Sequence, residues 1–177
     1  THAVLPSMVG RRNGLIVNVG SALGNYATCP FNAGYVASKA AVRAFTDALT
    51  IELRPVGVNA MLIAPGIIKS NIFKQMQIDD KPIWTAKEGS IYDNDASRKY
   101  VKMLSNSEKG GTDQQVFVKK IANKVLSSNP PRAMTGDGSY SKTWALFGAM
   151  PRALRHFAET SIYGFRGRWA DPKSKTS

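Results

Sequence analysis

The sequence predicts an α/β fold with a parallel sheet, because short apolar runs typical of buried strands alternate with segments of helical periodicity. Two such runs, residues 15–19 and 58–64, are separated by a long segment with apolar residues at steps of three and four. Parallel strands need a crossover connection of this kind, and such crossovers are right-handed. With 177 residues, 43% of them hydrophobic, the chain is expected to form one domain around one core.

A helix is predicted over residues 35–53, directly before the second strand. Arg54, Pro55 and Gly57 are expected to end it, since proline cannot continue a helix and glycine accepts the left-handed conformation. Another side of the helix carries mainly the short side chains of alanine. These allow close packing, either within the monomer or with a second copy. One stripe of the helix is apolar and is expected to face the core: Val42, Phe45, Leu49 and Leu53.

Residues 71–112 form a polar stretch without strong periodicity, which in a compact domain usually means a functional lid or an insertion. Asp113 is then a suitable N-cap for a helix over residues 114–127, and residues 132–135 are predicted to form a last short strand. Val118, Ile121, Ala122 and Val125 are expected to line one face of that helix. The apolar residues of the polar stretch either line a pocket or pack the loop onto the body: Ile72, Phe73, Met76, Ile78 and Trp84.

Within the tail, residues 142–168 form an apolar series that is broken by Pro151 and interspersed with basic residues, with Glu159 as its acidic exception. An amphipathic basic helix of this kind can lie in a membrane interface. It can equally cover an active site or pack on a partner, and these alternatives remain open.

The formal net charge of +12 comes from basic residues scattered from Arg11 to Lys175. A solvated basic surface is the main interpretation, attraction to an anionic membrane or acidic lipid substrate is the second, and nucleic-acid binding is not expected because no recognition motif is present. No cluster of His, Cys and carboxylates has metal-ligand spacing, so no metal is predicted. The single cysteine, Cys29, excludes an internal disulfide; it is either a small loop residue or a border of the substrate pocket.

Tyr35 and Lys39 lie four residues apart, and therefore one turn apart on one face of the predicted helix. A free phenol loses its proton only near about pH 10, and a nearby ammonium favours the phenolate, which makes an acid–base tyrosine plausible. Ser21 follows the first strand, 14 residues before Tyr35, and could hold the same substrate oxygen. The spacing alone is also common among surface neighbours on helices.

The order of these motifs resembles the short-chain dehydrogenase/reductase family. The resemblance implies a Rossmann-like, doubly wound parallel sheet and an NAD(P)-dependent oxidoreductase. It assigns proton donation or acceptance to Tyr35, tuning of that tyrosine and contact with the nicotinamide ribose to Lys39, and orientation of the carbonyl to Ser21. The matching stretches are Asn18–Ser21, Tyr35–Ala41 and Pro65–Gly66.

The resemblance also implies a cofactor, and by analogy with lipid reductases NADP(H) is favoured over NAD(H). The Gly-rich turn that binds the pyrophosphate in such enzymes does not occur in this sequence. The chain is therefore interpreted as the C-terminal part of a family member, lacking the N-terminal cofactor-binding half. The residues assigned to the nicotinamide end are Tyr35, Lys39, Pro65, Gly66, Ile68 and Ser70, the last standing where threonine is usual.

By the same resemblance the chain divides into a catalytic core over 1–70, a substrate-binding loop over 71–112, a last helix and strand over 113–141, and a basic amphipathic tail over 142–177. The tail and the Tyr/Lys region are similar to the branch that reduces lipid carbonyls, such as 1-acyl-dihydroxyacetone phosphate. A homodimer through the Tyr/Lys helix is expected. The expected location is intracellular, either cytoplasmic or peripheral on endoplasmic reticulum or lipid droplets.

Two alternative functions remain. The first is a truncated, non-catalytic remnant of the family that acts only as a dimerisation or interaction module. The second is a serine hydrolase at Ser21, which is disfavoured because Gly20–Gly24 does not match the G-x-S-x-G elbow and because only His2 and His156 could act as base.

Overall fold

A computed structural model describes residues 1–71, 77–78, 81–82, 86–135 and 141–163. It confirms the predicted α/β class: three parallel strands form a sheet in the order β1–β2–β5, and a separate two-stranded ladder joins β3 and β4. The strands are β1 Gly14–Val19, β2 Val58–Ala64, β3 Gln77–Ile78, β4 Lys81–Pro82 and β5 Ala133–Thr135. The α-helices are α1 Leu5–Gly10, α2 Ala22–Asn25, α3 Ala33–Leu53, α4 Asp95–Ser107, α5 Gln114–Val125, α6 Ser141–Ala149 and α7 Arg152–Ile162.

The central strand β2 is covered on both faces, as a Rossmann-like sheet requires. Alternate residues of a strand point to opposite faces, so Val58 and Ala60 lie on one side while Met61 and Ile63 lie on the other. The first pair packs with Ile16, Leu49 and Leu53, which brings in α3 and, through Leu5, Met8 and Val9, α1. The second pair packs with Met134 and with the α5 residues Phe117, Ile121 and Val125.

The carboxyl ends of β1 and β2 meet at one edge of the sheet, because the two strands are parallel and in register from Gly14 opposite Val58 to Val19 opposite Ile63. The loops that leave this edge begin with Gly20 after β1 and with Pro65 after β2. Both predicted motif segments therefore start from neighbouring points.

The long helix α3 begins two residues before the predicted start and ends where the sequence indicates. Residues Arg54–Val56 form a 3-10 turn, and Gly57 follows in the left-handed conformation with φ 77°. A side chain at Gly57 would also collide with the backbone, since its Cβ would lie 2.4 Å from the carbonyl oxygen of Arg12. This turn directs the chain into β2.

Two predicted core residues are in fact exposed, Phe45 on α3 and Val118 on α5, each with 51% of its surface accessible. On α3 the inward position next to Phe45 is Thr46, which is buried and accepts a hydrogen bond of 2.9 Å from the Asn18 side chain. On α5 the inward position is Phe117, which lies four residues before Ile121 and so on the same face. The other predicted positions face the core, namely Leu49 and Leu53 on α3 and Ile121 and Val125 on α5, so the prediction was wrong at one position in each helix.

Residues 69–111 form an excursion that is closed at its base. The backbone N–H of Lys69 donates to the Thr112 carbonyl at 2.9 Å, and the N–H of Thr112 donates to the Ile67 carbonyl at 3.0 Å. The excursion contains α4, a 13-residue helix that the periodicity did not predict. The apolar lining predicted for this region falls outside the described side chains: Ile72, Phe73, Met76, Ile78 and Trp84.

The tail forms two helices on either side of Pro151, as its sequence predicts, and residues 164–177 lie outside the described range. The one acidic residue of α7, Glu159, is buried rather than exposed. Among the described residues, none of the helices combines the length and the apolar character that crossing a membrane requires.

Candidate active site

Tyr35 and Lys39 lie on the first half of α3, both partly buried. The Lys39 Nζ lies 5.8 Å from the centroid of the Tyr35 ring. The same Nζ donates a hydrogen bond of 3.2 Å to the carbonyl oxygen of Val19, the last residue of β1. The structure thus brings this lysine both to Tyr35 and to the end of the first strand.

Ser21 is buried, with 8% of its surface exposed, in the loop that follows β1. It is the N-cap of α2, where its Oγ accepts a hydrogen bond of 3.2 Å from the backbone N–H of Leu23. Because the hydroxyl acts as acceptor in this bond, it still carries its own proton to donate.

The backbone on both sides of Ser21 is tied to the end of β2. The N–H of Gly20 donates to Ile63 O at 2.7 Å, and the N–H of Ala22 donates to Pro65 O at 2.8 Å. These bonds continue the parallel ladder beyond β1 and place Ser21 beside Pro65. The Ser21 hydroxyl is therefore held at the end of a strand rather than on a helix.

The segment after β2 carries the other predicted cofactor residues, and all of them are partly buried. The Pro65 carbonyl accepts the bond from Ala22, in the loop that carries Ser21 (residues 20–26, the Ser21 loop). Ile68 pairs with Thr112 in an isolated bridge. Gly66 and Ser70 follow the same path away from the sheet edge. The segment therefore runs from the Ser21 loop to the base of the 69–111 excursion.

A second polar cluster, not predicted from the sequence, lies on the segment that leads to α3. Glu159 of α7 has 4% of its surface exposed and accepts two hydrogen bonds from Thr28, one from the backbone N–H at 3.0 Å and one from Oγ1 at 2.6 Å. Tyr163 OH donates to the Thr28 carbonyl at 3.3 Å. Through these bonds the described part of the tail packs on this chain's own segment before Tyr35.

Cys29 belongs to the same buried cluster and contacts the hydroxyl of Tyr100 on α4. The rings of Tyr100 and Tyr163 meet edge to face with centroids 5.9 Å apart. Burial raises the pKa of both phenols above the ordinary value of 10.0, and the neighbouring Cys29 adds to the effect in each. Burial also raises the pKa of the Cys29 thiol, so all three groups keep their protons near neutral pH.

Metal chemistry receives no geometric support from the described residues, in which no group of three or more His, Cys, Asp or Glu side chains could hold an ion. The two histidines that a serine hydrolase would need are exposed, one at the start of the chain and one on α7. The described contacts bring Lys39 to the Tyr35 ring and to the end of β1, directly before the loop that carries Ser21; the three residues remain the predicted site.

Comparisons with known proteins agree with this arrangement. A family model described as short chain dehydrogenase matches residues 1–81. The 3-ketodihydrosphingosine reductase of Bacteroides thetaiotaomicron is 29% identical over 161 residues, which cover 88% of this chain and 58% of that protein. The NADPH-dependent 1-acyldihydroxyacetone phosphate reductase of Schizosaccharomyces pombe is 40% identical over 94 residues, which cover 53% of this chain and 29% of that protein. The chain thus spans less than two thirds of the length of either relative.

A solved short-chain dehydrogenase from Streptomyces avermitilis has the same fold, with a TM-score of 0.63 at 21% identity over 95% of this chain and 57% of that chain. The family model covers α1 to β4, the part that carries every predicted site residue. The motif order and the sheet agree with these matches, which support a member of the short-chain dehydrogenase/reductase family of oxidoreductases.

Proposed function

We propose that this protein reduces a carbonyl, or oxidises the corresponding alcohol, with NADP(H) and with Tyr35 as proton donor or acceptor. The observation that carries the proposal is the meeting of the Tyr35–Lys39 pair with the Ser21 loop at the shared carboxyl edge of β1 and β2. Ligands of open parallel sheets bind outside the carboxyl ends of the strands.

The donor set at this edge fits the nicotinamide end of the cofactor. Ribose hydroxyls and a carboxamide need hydrogen-bond partners, and the edge offers the ammonium of Lys39, the phenol of Tyr35 and the hydroxyl of Ser70. A Gly-rich turn for the pyrophosphate is not part of this sequence, so the proposal assigns only the nicotinamide end to these residues. When bound, the cofactor supplies the hydride, while the protein supplies position and a proton.

In the reducing direction, the Ser21 hydroxyl donates a hydrogen bond to the carbonyl oxygen and holds it. The Tyr35 hydroxyl donates its proton to the same oxygen as negative charge develops there. The positive charge of Lys39 stabilises the phenolate that remains, since an opposite charge nearby favours the charged form. A positioned general acid of this kind contributes about 10²–10⁴-fold to the rate.

The proposed substrate is a lipid-like carbonyl such as 1-acyl-dihydroxyacetone phosphate. The proposal is supported by the similarity to two reductases whose names concern lipid ketones, and the NADPH dependence stated for one of them favours NADP(H). The closed base of the 69–111 excursion supports a separate substrate-binding segment over 71–112. The remaining division into a core over 1–70, a last helix and strand over 113–141 and a tail over 142–177 is part of the same proposal.

The test compares Tyr35→Phe with Tyr163→Phe, since each variant loses one phenol hydroxyl but only the first lies beside Lys39. With 1-acyl-dihydroxyacetone phosphate and NADPH, Tyr35→Phe in the protein as it occurs in cells should lower kcat by about 10²-fold or more, with the cofactor Kd unchanged. Tyr163→Phe should keep the wild-type rate per folded molecule. A Tyr35→Phe protein with a rate within about twofold of wild type would refute the assignment. NADH in place of NADPH tests the cofactor preference.

Dimerisation through α3 is proposed for this enzyme and equally for the alternative, a non-catalytic interaction module of the same family. It is supported by the outer side of α3, where apolar residues at helical spacing are exposed: Ala37, Ala41, Ala44, Phe45, Ala48 and Ile51. Ile51, with 76% of its surface accessible, is the most exposed of the large ones. Ile51→Lys should convert a dimer to a monomer in analytical ultracentrifugation, and Ile91→Lys is the exposed control. Turnover by the wild type then separates the enzyme from the module.

Peripheral contact of the tail with an anionic membrane, on endoplasmic reticulum or lipid droplets, is also proposed. It is supported by the exposed Leu154 and Phe157 beside the exposed Arg152, and by the burial of Glu159 away from that surface. Sedimentation with vesicles containing phosphatidylserine should be stronger than with neutral vesicles and should fall in Phe157→Asp. Equal binding to both kinds of vesicle would argue against this contact.

A further inference from the structure

The Ser21 loop, residues 20–26, is held by α3 at both of its ends. At one end the Lys39 Nζ donates to Val19 O at 3.2 Å, and at the other Arg43 donates from NH1 to Asn25 O at 2.6 Å. Tyr35, Lys39 and Arg43 follow each other at four-residue steps, so they lie along one face of the helix. The helix that carries Tyr35, the proposed acid, thus also binds the loop that carries Ser21.

Asn25 connects the arginine to Ser21 itself. Its side chain is buried, with 6% of the residue's surface exposed, and its Nδ2 donates a hydrogen bond to the backbone carbonyl of Ser21. Its Oδ1 is also buried but makes no hydrogen bond within the described ranges. A buried acceptor without a partner is costly, so the Asn25 side chain is poorly explained as a purely stabilising residue. Its directed contact is the one with Ser21.

The loop lies on the helix without an intervening side chain. Gly24 has φ 86°, and a Cβ there would lie 2.6 Å from Val36 O and 3.0 Å from the Lys39 Cβ. This close approach at Gly24 lies between the two attachments at Val19 and Asn25. Three contacts therefore fix the position of the Ser21 loop along α3.

Arg43 is itself fixed in direction. Its guanidinium lies 5.9 Å from the centroid of the Tyr26 ring and 3.7 Å from the Asp47 carboxylate, one turn further along α3. A guanidinium has a planar set of donors that an ammonium lacks, so it can meet the ring, the carboxylate and a carbonyl together. The position requires an arginine more than it requires a positive charge.

We propose that Arg43 and Asn25 are positioning residues that set the Ser21 hydroxyl against Tyr35. This inference rests on the proposed reductase function, because only a reaction at Ser21 and Tyr35 makes their relative position matter. Neither residue touches the reacting atoms, and both act through Ser21. A misplacement of a reacting group by about 1 Å can lower a rate by about 10²-fold.

The test uses Arg43→Ala, Arg43→Lys and Asn25→Ala in the protein as it occurs in cells, with Arg11→Ala as the control. Arg11 is an exposed arginine that donates to Ser7 at 2.9 Å, on α1 and away from the Ser21 loop. Hydrogen exchange of the Ala22 and Tyr26 amides reports the loop, and kcat with the carbonyl substrate reports the reaction. The melting temperature reports general stability.

Arg43→Ala and Asn25→Ala are expected to lower kcat about 10- to 100-fold with KM for the cofactor unchanged, and to speed exchange of the loop amides while β2 keeps its protection. Arg43→Lys should recover only part of kcat, and Arg11→Ala should match wild type. Faster loop exchange with an unchanged kcat would overturn the positioning role, as would unchanged exchange. If Tyr35→Phe keeps its rate, the proposed function fails; if Tyr35→Phe loses it and both Arg43→Ala and Asn25→Ala keep it, only this inference fails.

Discussion

The segment between β1 and α3 carries two polar networks of opposite character. The first, around Ser21, is built from Lys39 and Arg43 and faces the sheet edge with partly exposed side chains. The second, around the exposed Thr28, is built from the buried side chains of Glu159 and Tyr163. The first leaves groups available to a ligand, whereas the second fixes the backbone that leads to them. Within this short segment, the network around Ser21 is therefore the one proposed to act on a ligand, and the network around Thr28 is the one that holds the backbone.

The contrast extends to the tyrosines. Tyr35 is partly exposed beside a cation, whereas Tyr100 and Tyr163 are buried among one another and Cys29. Burial raises the pKa of the last two phenols, so they remain neutral where a general acid would have to ionise. The surroundings of Tyr100 and Tyr163 thus differ from those of the partly exposed Tyr35, although the residue type is the same.

The largest effect on stability is expected from Glu159→Ala. This change leaves the N–H and hydroxyl of Thr28 without their acceptor and should lower the free energy of unfolding by about 3 kcal/mol, since bonds to a charged group contribute about 1.5–3 kcal/mol each. Urea denaturation measures it, and Glu159→Gln should recover part of the loss. Glu52→Ala on the exposed end of α3 is the control. A loss as small as that of the control would mean that the buried network does not support the segment.

The next effect is a loss of stability at alkaline pH. Because the folded protein raises the pKa of Tyr100 and Tyr163 above 10.0, the stabilisation is complete below pH 10 and is lost as the pH rises above it. Two such groups should together lower the free energy of unfolding by just under about 3 kcal/mol near pH 11, at about 1.4 kcal/mol per group and pH unit. Tyr100→Phe should flatten this decline in a urea series at pH 8–11. An equally steep decline in Tyr100→Phe would assign it to other groups.

A smaller effect is expected from Gly24→Ala in the open network. A left-handed conformation costs a non-glycine residue about 1–2 kcal/mol, and the contact with Val36 O adds to that cost. The loss should appear in thermal unfolding together with faster exchange of the Ser21 loop amides. Gly34→Ala, which meets nothing within 4 Å, is the matched control. Equal stability of the two variants would show that the loop does not lie directly on α3.

The smallest effect is expected from Tyr163→Phe. It removes one hydrogen bond of 3.3 Å to a carbonyl while keeping the ring contact with Tyr100, so about 0.5–1 kcal/mol should be lost. Chemical denaturation of Tyr163→Phe and Glu159→Ala, measured side by side, ranks the contributions of the two side chains to the network around Thr28. A Tyr163→Phe loss larger than that of Glu159→Ala would reverse the ranking and make the phenol the main support.

Much of the fold follows from local patterns. The apolar runs predicted both long strands, and Asp113 predicted the start of α5. Both predictions succeed because strand burial and helix capping depend on residues close in sequence. The helix α4 did not follow from periodicity, although the family resemblance implies short helices in residues 71–112; its inward face carries Ser97, Tyr100 and Leu104. The burial of Thr46 in place of Phe45 on α3 could not be foreseen, because it depends on the Asn18–Thr46 bond between distant segments.

The site shows the same limit. Ser21, Tyr35 and Lys39 were proposed from motif spacing, and the structure brings the loop of the first to the helix of the other two. The Thr28–Glu159 pair was invisible, since its members are 131 residues apart. Arg43 had a signal that could have been used, because it continues the four-residue step from Tyr35 and Lys39.

The closed base of the 69–111 excursion, at Thr112, bears on which sequence changes this protein tolerates. Two backbone hydrogen bonds close the base of the 69–111 excursion, so its two ends are held together next to the sheet. Loops anchored in this way tolerate changes in length and sequence at little cost, because closure entropy grows slowly with length. Changes in the excursion are therefore expected to be tolerated away from Tyr100, whose packing against Cys29 and Tyr163 ties α4 to the segment before α3.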